Sequence, residues 1–349
     1  MEYVNNIIDR YKRIRSLHDL KNIYYRQYAL VGFGNHCTSN LLPVMQYLQL
    51  PLKYICCTSE RKAVLISQKY KDVRGTTTLQ DVLNDDSIAG IFVATNPRAH
   101  FSIATEVIRA GKSLWIEKPP CNNSNELNRL IDTSRLYGAG HIVVGLQHRF
   151  APATRILQKQ LSKTHVRHYH YRYLTGRYPE GDALLDLFIH PLDYVTLLFG
   201  GAKVKSANRV GYRTLLLILE HRGATGMLEL STDYSWQNAK EELSISTDRG
   251  QYVLNNMEKL DFISRPAVLL GIPAEKIIRR NTGVINLYGR NGFVPTIDNN
   301  QLVAQGFFAE IETFADRVEH ENVSNPTTSL EALRTTYALI DEIRDITNK

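Results

Sequence analysis

Between residues 27 and 148, short apolar runs recur at near-regular intervals, each followed by a segment with helical spacing of its apolar residues. Strands are expected over residues 28–31, 52–57, 88–94, 113–117 and 141–145, with helices from the turn after residue 34 to about 47, then over 61–69, 97–110 and 124–137. Strands separated by helices of about 10–15 residues return to the same end of the sheet each time, so they pair parallel and carry helices on both faces. Past residue 148 the period changes. Residues 165–173, 213–219 and 225–230 alternate apolar and polar with few helices between them, the pattern of a mainly antiparallel sheet. A helix over residues 152–162 precedes these runs, and helices over 305–319 and 329–345 close the chain. The chain therefore reads as α/β plus α+β. A helical extension covers residues 1–26, a doubly wound Rossmann domain 27–148, and an α+β domain on an open sheet 149–349, its last helices free to pack back on the first domain.

Length and composition narrow the function classes. At 349 residues there is enough chain for two cores, and 43% hydrophobic with 22% charged residues is ordinary for a globular protein. No apolar run approaches the roughly 18 residues that span a bilayer, and the polar N-terminus is no secretory leader. The four cysteines lack metal or disulfide spacing, so free thiols in a reducing cytoplasm and no metal site are expected. Cys56 and Cys57 are neighbours in a strand and should face opposite ways. The net charge of +7 comes from scattered basic residues without aromatic interleaving, which argues against nucleic acid. A mild positive field instead favours the arrival of an anionic cofactor or substrate.

Gly32-Phe33-Gly34-Asn35-His36-Cys37 follows the first strand and opens a helix. It carries the first two glycines of a dinucleotide fingerprint, one for a tight turn and one for close approach of a pyrophosphate; Cys37 stands at the third position. The second strand ends without the carboxylate that would bind the ribose hydroxyls of NAD. Thr58, Ser59 and Arg61 follow instead, a set suited to a 2′-phosphate, so NADP(H) is favoured and NAD(H) stays open.

Glu117-Lys118-Pro119-Pro120 ends the strand over residues 113–117. Proline at 119 pushes Lys118 toward extended geometry, which holds its ammonium at a strand end, where α/β folds bind ligands. Further on, Asp182 is placed to cap a helix, and Asp186 and His190 are four residues apart. On a continuous helix they would share a face, letting the carboxylate orient the imidazole as a general base. Pro191 directly after the histidine removes a helix donor and can kink the backbone there.

Together with the strand order, these stretches resemble the Gfo/Idh/MocA family of oxidoreductases from residue 28 to the C-terminus. Three further segments carry the likeness: Ala94-Thr95-Asn96-Pro97-Arg98-Ala99-His100, Gly145-Leu146-Gln147-His148-Arg149-Phe150, and residues 181–193 around Asp186 and His190. The resemblance implies hydride transfer between a nicotinamide and a carbinol or carbonyl carbon of a sugar, cyclitol or nucleotide sugar. It implies cofactor contacts from Gly32, Gly34, Asn35, His36, Thr95, Asn96, Pro97, His100, Glu117, Lys118 and Gln147, besides Thr58, Ser59 and Arg61. Lys118, Asp186 and His190 would be catalytic, with Lys118 or His190 moving the proton. Lys118, Arg149, Tyr173, Arg177 and His190 would meet the substrate, with Tyr171 and Tyr178 nearby. A homodimer or homotetramer formed through the open sheet face is the expected assembly. Two alternatives stay open: a reductase of imines or heterocycles, and a non-catalytic dinucleotide sensor.

Overall fold

The computed structural model describes residues 23–266, 268–273, 276, 283–320 and 329–347. Residues 23–26 carry no helix, and the rest of the expected N-terminal extension lies outside the described residues. Among the described residues, no helix is long and apolar enough to cross a membrane, and no group of three or more His, Cys, Asp or Glu could hold a metal ion.

The first sheet has six strands among the described residues: β1 (Gln27–Val31), β2 (Leu52–Cys56), β3 (Arg74–Thr76), β4 (Ile88–Val93), β5 (Ser113–Glu117) and β6 (Ile142–Gly145). Every pair is parallel, and the order is β3-β2-β1-β4-β5-β6. The three-residue β3 is too short to show a period, and sequence reasoning misses it. Helices α1 (Leu42–Tyr47), α2 (Glu60–Lys69), α3 (Leu79–Leu83), α4 (Pro97–Arg109) and α5 (Ser124–Tyr137) connect these strands. The strand order reverses between β1 and β4, so the crevice at their C-terminal ends is where such a sheet takes a ligand. Cys56 and Cys57 join the cores on opposite faces of this sheet, as expected, and all four cysteines are free and buried.

Past β6 come α6 (Pro152–Leu161), α7 (Ala183–Asp186), α8 (Ile189–Phe199), α9 (Gln301–Ala304), α10 (Phe307–Glu319) and α11 (Arg334–Thr347). The face of the first sheet bearing Tyr28, Phe92 and Trp115 is covered from this far part of the chain. Helix α10 lays Phe307, Ile311, Phe314 and Val318 on it, with the Phe314 ring 4.9 Å from Phe92 in an edge-on contact. Each such side chain contributes roughly 1.5–3 kcal/mol by leaving water, enough to hold the C-terminal segment on the first domain. The chain just before β1 is tied to the same helix: the Tyr24 hydroxyl donates to Asp316 at 3.0 Å, and the Tyr25 and Arg26 amides donate to Glu319.

The first turn of α10 also buries Glu310 completely. Burial, and after it the negative charge of Glu117, hold this carboxyl well above the usual carboxylate range. An unfolded chain loses that proton near the ordinary pKa while the native state keeps it, so stability falls by up to about 1.4 kcal/mol per pH unit above that point. Glu310→Gln is therefore expected to be increasingly stabilising relative to wild type as pH rises from about 5. Urea midpoints of the two proteins across that range check it; parallel curves would contradict it.

The second sheet is built from β7 (Val166–Leu174), β8 (Ala202–Val210), β9 (Thr214–His221), β10 (Thr225–Ser231), β11 (Lys240–Thr247), β12 (Gly250–Asn255) and β13 (Lys259–Ser264). A two-stranded ribbon, β14 (Val268–Leu269) with β15 (Ile272–Pro273), stands apart, and β16 (Val284–Gly289) returns to the main sheet. The order is β16-β13-β12-β11-β7-β10-β9-β8. Among the described strands of this sheet only the central β7–β10 pair is parallel, so it is mixed and mostly antiparallel. In β9, Leu215, Leu217 and Leu219 point into the core while Leu216 and Ile218 stay exposed. Helix α8 covers the inner face, its Tyr194 edge-on to Tyr171 of β7. The outer face of β9 and β10 is left open, with Met227 beside Ile218 in register.

Candidate active site

The loop after β1 is shaped by two glycines with different tasks. Gly32 has φ 103°, and a Cβ there would collide with the Ala94 carbonyl oxygen at the end of β4. The absent side chain lets the β1 and β4 ends close on each other at the switch point. A Cβ at Gly34 would meet nothing within 4 Å, so the loop offers bare backbone to open space, which fits a pyrophosphate. Cys37, at the third fingerprint position, is buried. The helix that follows starts with a π turn at Cys37–Leu41, in which the Leu42 amide donates to the Cys37 carbonyl, and continues as α1. Pro43 has no N–H for the preceding turn and crowds its carbonyl, which accounts for the widening.

Around the loop stand the other expected cofactor residues. Thr58 and Arg61 are exposed beyond the end of β2, while the Ser59 hydroxyl caps α2 by accepting from the Lys62 amide at 3.4 Å. Asn96 caps α4, accepting from the Arg98 amide at 3.0 Å, with Pro97 in the first turn and Thr95 half-buried before it. Asn35 is exposed at the start of the first helix, and Gln147 is half-buried at the start of a 3-10 turn (Gln147–Phe150).

His100 needs a correction. It is 1% exposed and reaches only backbone, with Nδ1 2.7 Å from the Pro119 oxygen and Nε2 3.1 Å from the Thr95 oxygen. Burial lowers its pKa despite these carbonyls, and a neutral ring has one N–H, which serves the shorter contact. His100 ties the loop after β4 to the proline turn after β5, and its ring is closed to solvent.

Glu117 and His36 form a second clamp. The Glu117 carboxylate accepts from His36 Nε2 at 2.7 Å and from the Lys118 amide at 3.1 Å. The other His36 nitrogen, Nδ1, faces the Asn40 amide group at 3.0 Å. Burial works to raise the Glu117 pKa, but the His36 hydrogen bond and the nearby positive charges outweigh it and the net shift is downward. The buried carboxylate thus joins the glycine loop to the strand end that carries Lys118, with both oxygens engaged inside the protein.

Lys118 is half-buried at the end of β5, and its Nζ donates to the main-chain oxygen of Asp186 at 2.6 Å. The Lys118–Pro119 bond is cis, which no feature of the sequence reveals. Burial lowers the ammonium pKa, only partly offset by Glu117 and Asp186.

The expected Asp186–His190 pair is the main correction. Asp182 does cap a helix, accepting from the Leu184 amide, but that helix, α7, stops after one turn. A second helix, α8, begins at Ile189 with Pro191 in its first turn, and the His190 amide bonds three residues back to the Leu187 oxygen at 3.3 Å. The missing donor of Pro191 breaks the continuous helix that i, i+4 geometry requires. The Asp186 carboxylate instead accepts from the Tyr178 hydroxyl at 3.2 Å, and a Cβ at Gly181 would collide with it. Burial raises the Asp186 pKa against the pull of Tyr178 and Lys118. His190 is buried, and its Nδ1 is sealed from solvent with no hydrogen-bond partner among the described residues. Burial first, then the charges of Lys118, His148 and His36, take its pKa well below the ordinary value, so the imidazole is neutral at neutral pH.

Two expected substrate contacts also change place. Arg149 is paired with Asp193 of α8, its Nε donating to Oδ2 at 2.8 Å, with side-chain exposures of 7% and 3%. The guanidinium locks the interdomain turn to α8. Tyr171 is fully buried and donates to Glu241. Tyr173 stays half-buried beside Phe188, and Arg177 is exposed, next to Tyr178, on the rim of a cavity of about 610 Å³. Sequence reasoning misses His148 and Glu241. His148 packs on His190 with ring centroids 5.0 Å apart, and its Nδ1 lies 3.4 Å from Glu241 Oε1. Their only signal is a histidine beside Arg149 and a charged Lys240-Glu241-Glu242 run that reads as solvated.

Residues 26–144 match the family described as "Oxidoreductase family, NAD-binding Rossmann fold". A protein named "Putative oxidoreductase YceM" from Salmonella typhimurium is 23% identical over 238 residues, which cover 66% of this chain and 76% of that protein. Among solved structures, a levoglucosan dehydrogenase in complex with NADH and L-sorbose superposes with a TM-score of 0.76 at 16% identity, covering 93% of this chain and 96% of the other. The 3-ketoreductase KijD10 of Actinomadura kijaniata, solved with TDP-benzene and NADP, gives 0.72 at 15% identity over 91% and 96%. At these identities the structural likenesses speak to the fold. Residues 26–144 thus match the NAD-binding Rossmann domain of the Gfo/Idh/MocA oxidoreductases, and a Gfo/Idh/MocA family oxidoreductase from Vibrio cholerae shares the fold with a TM-score of 0.72 at 17% identity, covering 93% of this chain and 99% of the other.

Proposed function

We propose that this protein is an NAD(P)-dependent dehydrogenase or reductase acting at a carbinol or carbonyl carbon of a sugar, cyclitol or nucleotide sugar. The observation that carries the reading is Lys118. Its ammonium is fixed by the Asp186 oxygen, and its main-chain amide donates to Glu117, which joins it through His36 to the loop of Gly32 and Gly34. When bound, a nicotinamide cofactor supplies or accepts the hydride. Lys118 donates to the reacting oxygen and stabilises the negative charge that develops there. His190 offers a neutral imidazole for the hydroxyl proton, and because Nδ1 is sealed the substrate meets the ring at Nε2. Tyr173 and Arg177 supply an aromatic face and a cation to a sugar ring and an anionic tail. The family relatives named as acting on levoglucosan and as a 3-ketoreductase are consistent with a sugar-like substrate.

NADP(H) is the proposed cofactor, because Thr58 and Arg61 stand exposed beyond β2 where a carboxylate would disfavour the 2′-phosphate. Arg61→Ala is expected to weaken NADPH binding about tenfold, the worth of one charge-assisted hydrogen bond, and to leave NADH nearly unchanged. Equal losses for both dinucleotides by calorimetry would contradict it. The reading as a whole is tested by thermal shifts with NADPH and NADH, followed by turnover of a panel of sugars, cyclitols and nucleotide sugars. It fails if neither dinucleotide raises Tm. The exposed outer face of the second sheet supports a further proposal, assembly as a homodimer or homotetramer.

A further inference from the structure

The most unusual feature of the site is a pair of buried imidazoles. His190 and His148 are 7% and 6% exposed, and the Nδ1 atoms of both are sealed from solvent without a hydrogen bond in this geometry. Their ring centroids are 5.0 Å apart and the planes are inclined by 36°, so the rings are tilted, not stacked. A carboxylate stands beside His148 of this pair. Glu241 Oε1 lies 3.4 Å from His148 Nδ1, accepts from the Tyr171 hydroxyl, and belongs to a side chain 12% exposed. Its strand position is pinned by the Glu241 amide, which donates to the Asn256 side chain at 2.9 Å. The turn holding His148 is equally fixed, because the Thr154 hydroxyl donates to the His148 main-chain oxygen at 2.6 Å and also meets the Tyr194 hydroxyl.

We propose that His148 and Glu241 are positioning residues for His190, taking the part that the Asp186 carboxylate does not take. The proposal rests on the reading of His190 as the group that holds the substrate proton. Glu241 draws the His148 proton to Nδ1, which leaves the Nε2 lone pair of His148 for the neighbouring ring. When His190 receives a proton at Nε2, its Nδ1–H turns to that lone pair, and the Glu241 charge beyond it stabilises the imidazolium. No proton leaves the pair and no bond to carbon is involved. A buried carboxylate one ring removed is the same device as an acid that orients a catalytic histidine, extended by one imidazole.

The groups facing the pair come from several elements. Lys118 at the end of β5 and His36 in the first helix act on His190 by charge, while Tyr194 of α8 lies edge-on to His148. Tyr171 of β7 faces Glu241. Lys118, a charged His148 and His36 oppose protonation of His190, so the proposed arrangement requires a neutral His148 with the Glu241 carboxylate beside it.

The test is nitrogen NMR on protein labelled with [15N]histidine, with assignments from His148→Gln and His190→Gln. In the wild-type protein without cofactor, His148 is expected as the Nδ1–H tautomer; an Nε2–H tautomer overturns the proposal without any substitution. In Glu241→Gln, which keeps the shape of the side chain, the His190 titration midpoint is expected to fall by about 1 unit, the effect of losing one nearby opposite charge. An unmoved midpoint in a variant with unchanged backbone shifts also overturns it. Neither readout needs turnover, so failure of the dehydrogenase reading in the substrate panel is distinguishable from failure of this one.

Discussion

Lys118→Met should lower turnover about 10²–10³-fold, the usual loss when one preorganised donor to a developing oxyanion is removed. The methionine keeps most of the apolar stem and fills the same space, so the fold should survive. Two contacts define what else changes. The Asp186 oxygen loses its 2.6 Å donor, and Glu117 loses a neighbouring positive charge but keeps His36 and the main-chain amide of residue 118. Dinucleotide binding depends on the glycine loop, which the Glu117–His36 clamp still holds, so its Kd should stay near the wild-type value. The measurement is kcat at saturating cofactor beside a dinucleotide Kd and a Tm. A variant that turns over at the wild-type rate with its fold intact removes Lys118 from the chemistry. A variant that loses dinucleotide affinity in proportion to kcat makes Lys118 a residue of the cofactor site and leaves the oxyanion role without support.

Features written in local chemistry are legible in the sequence. Gly32 and Gly34 follow a strand and open a helix, and the structure gives one the tight turn and the other open space. The alternating runs that form β7, β9 and β10 are legible too, because a half-buried strand such as β9 must alternate. What cannot be read is where polar side chains find partners across the fold. His100 looks like a loop residue near a cofactor, but its ring is spent on two main-chain oxygens, one of them 19 positions away. Arg149 looks like a substrate guanidinium, but its partner is 44 positions on. The Asp186–His190 spacing reads as one helix face although Pro191 sits beside it, and the proline decides the geometry. Glu241 and His148 lie far apart in the chain, and only the packing of β7, β11 and α8 brings them to His190.

The second large effect distinguishes a carbinol from an imine as the reacting group. His190→Ala in a sugar dehydrogenase removes the acceptor of the hydroxyl proton and should cost about 10²–10⁴-fold in kcat. A substrate reduced at a C=N bond needs less of a general base, and the same substitution should then cost little. The structure sharpens this contrast. Among the described residues no carboxylate bonds His190 Nδ1, and burial with the neighbouring charges of Lys118, His148 and His36 keeps it neutral at rest. A neutral imidazole is ready to accept a proton, so the base form is fully populated at neutral pH and oxidation should not fall until the pH is well below 6.5. If the proton is instead moved by Lys118, the ammonium must first deprotonate at its depressed pKa, and oxidation should rise with pH on the alkaline side. The pH profile of kcat for wild type and His190→Ala therefore separates the two groups. Loss of activity at every pH in the variant assigns the proton to His190, whereas an intact alkaline limb assigns it to Lys118.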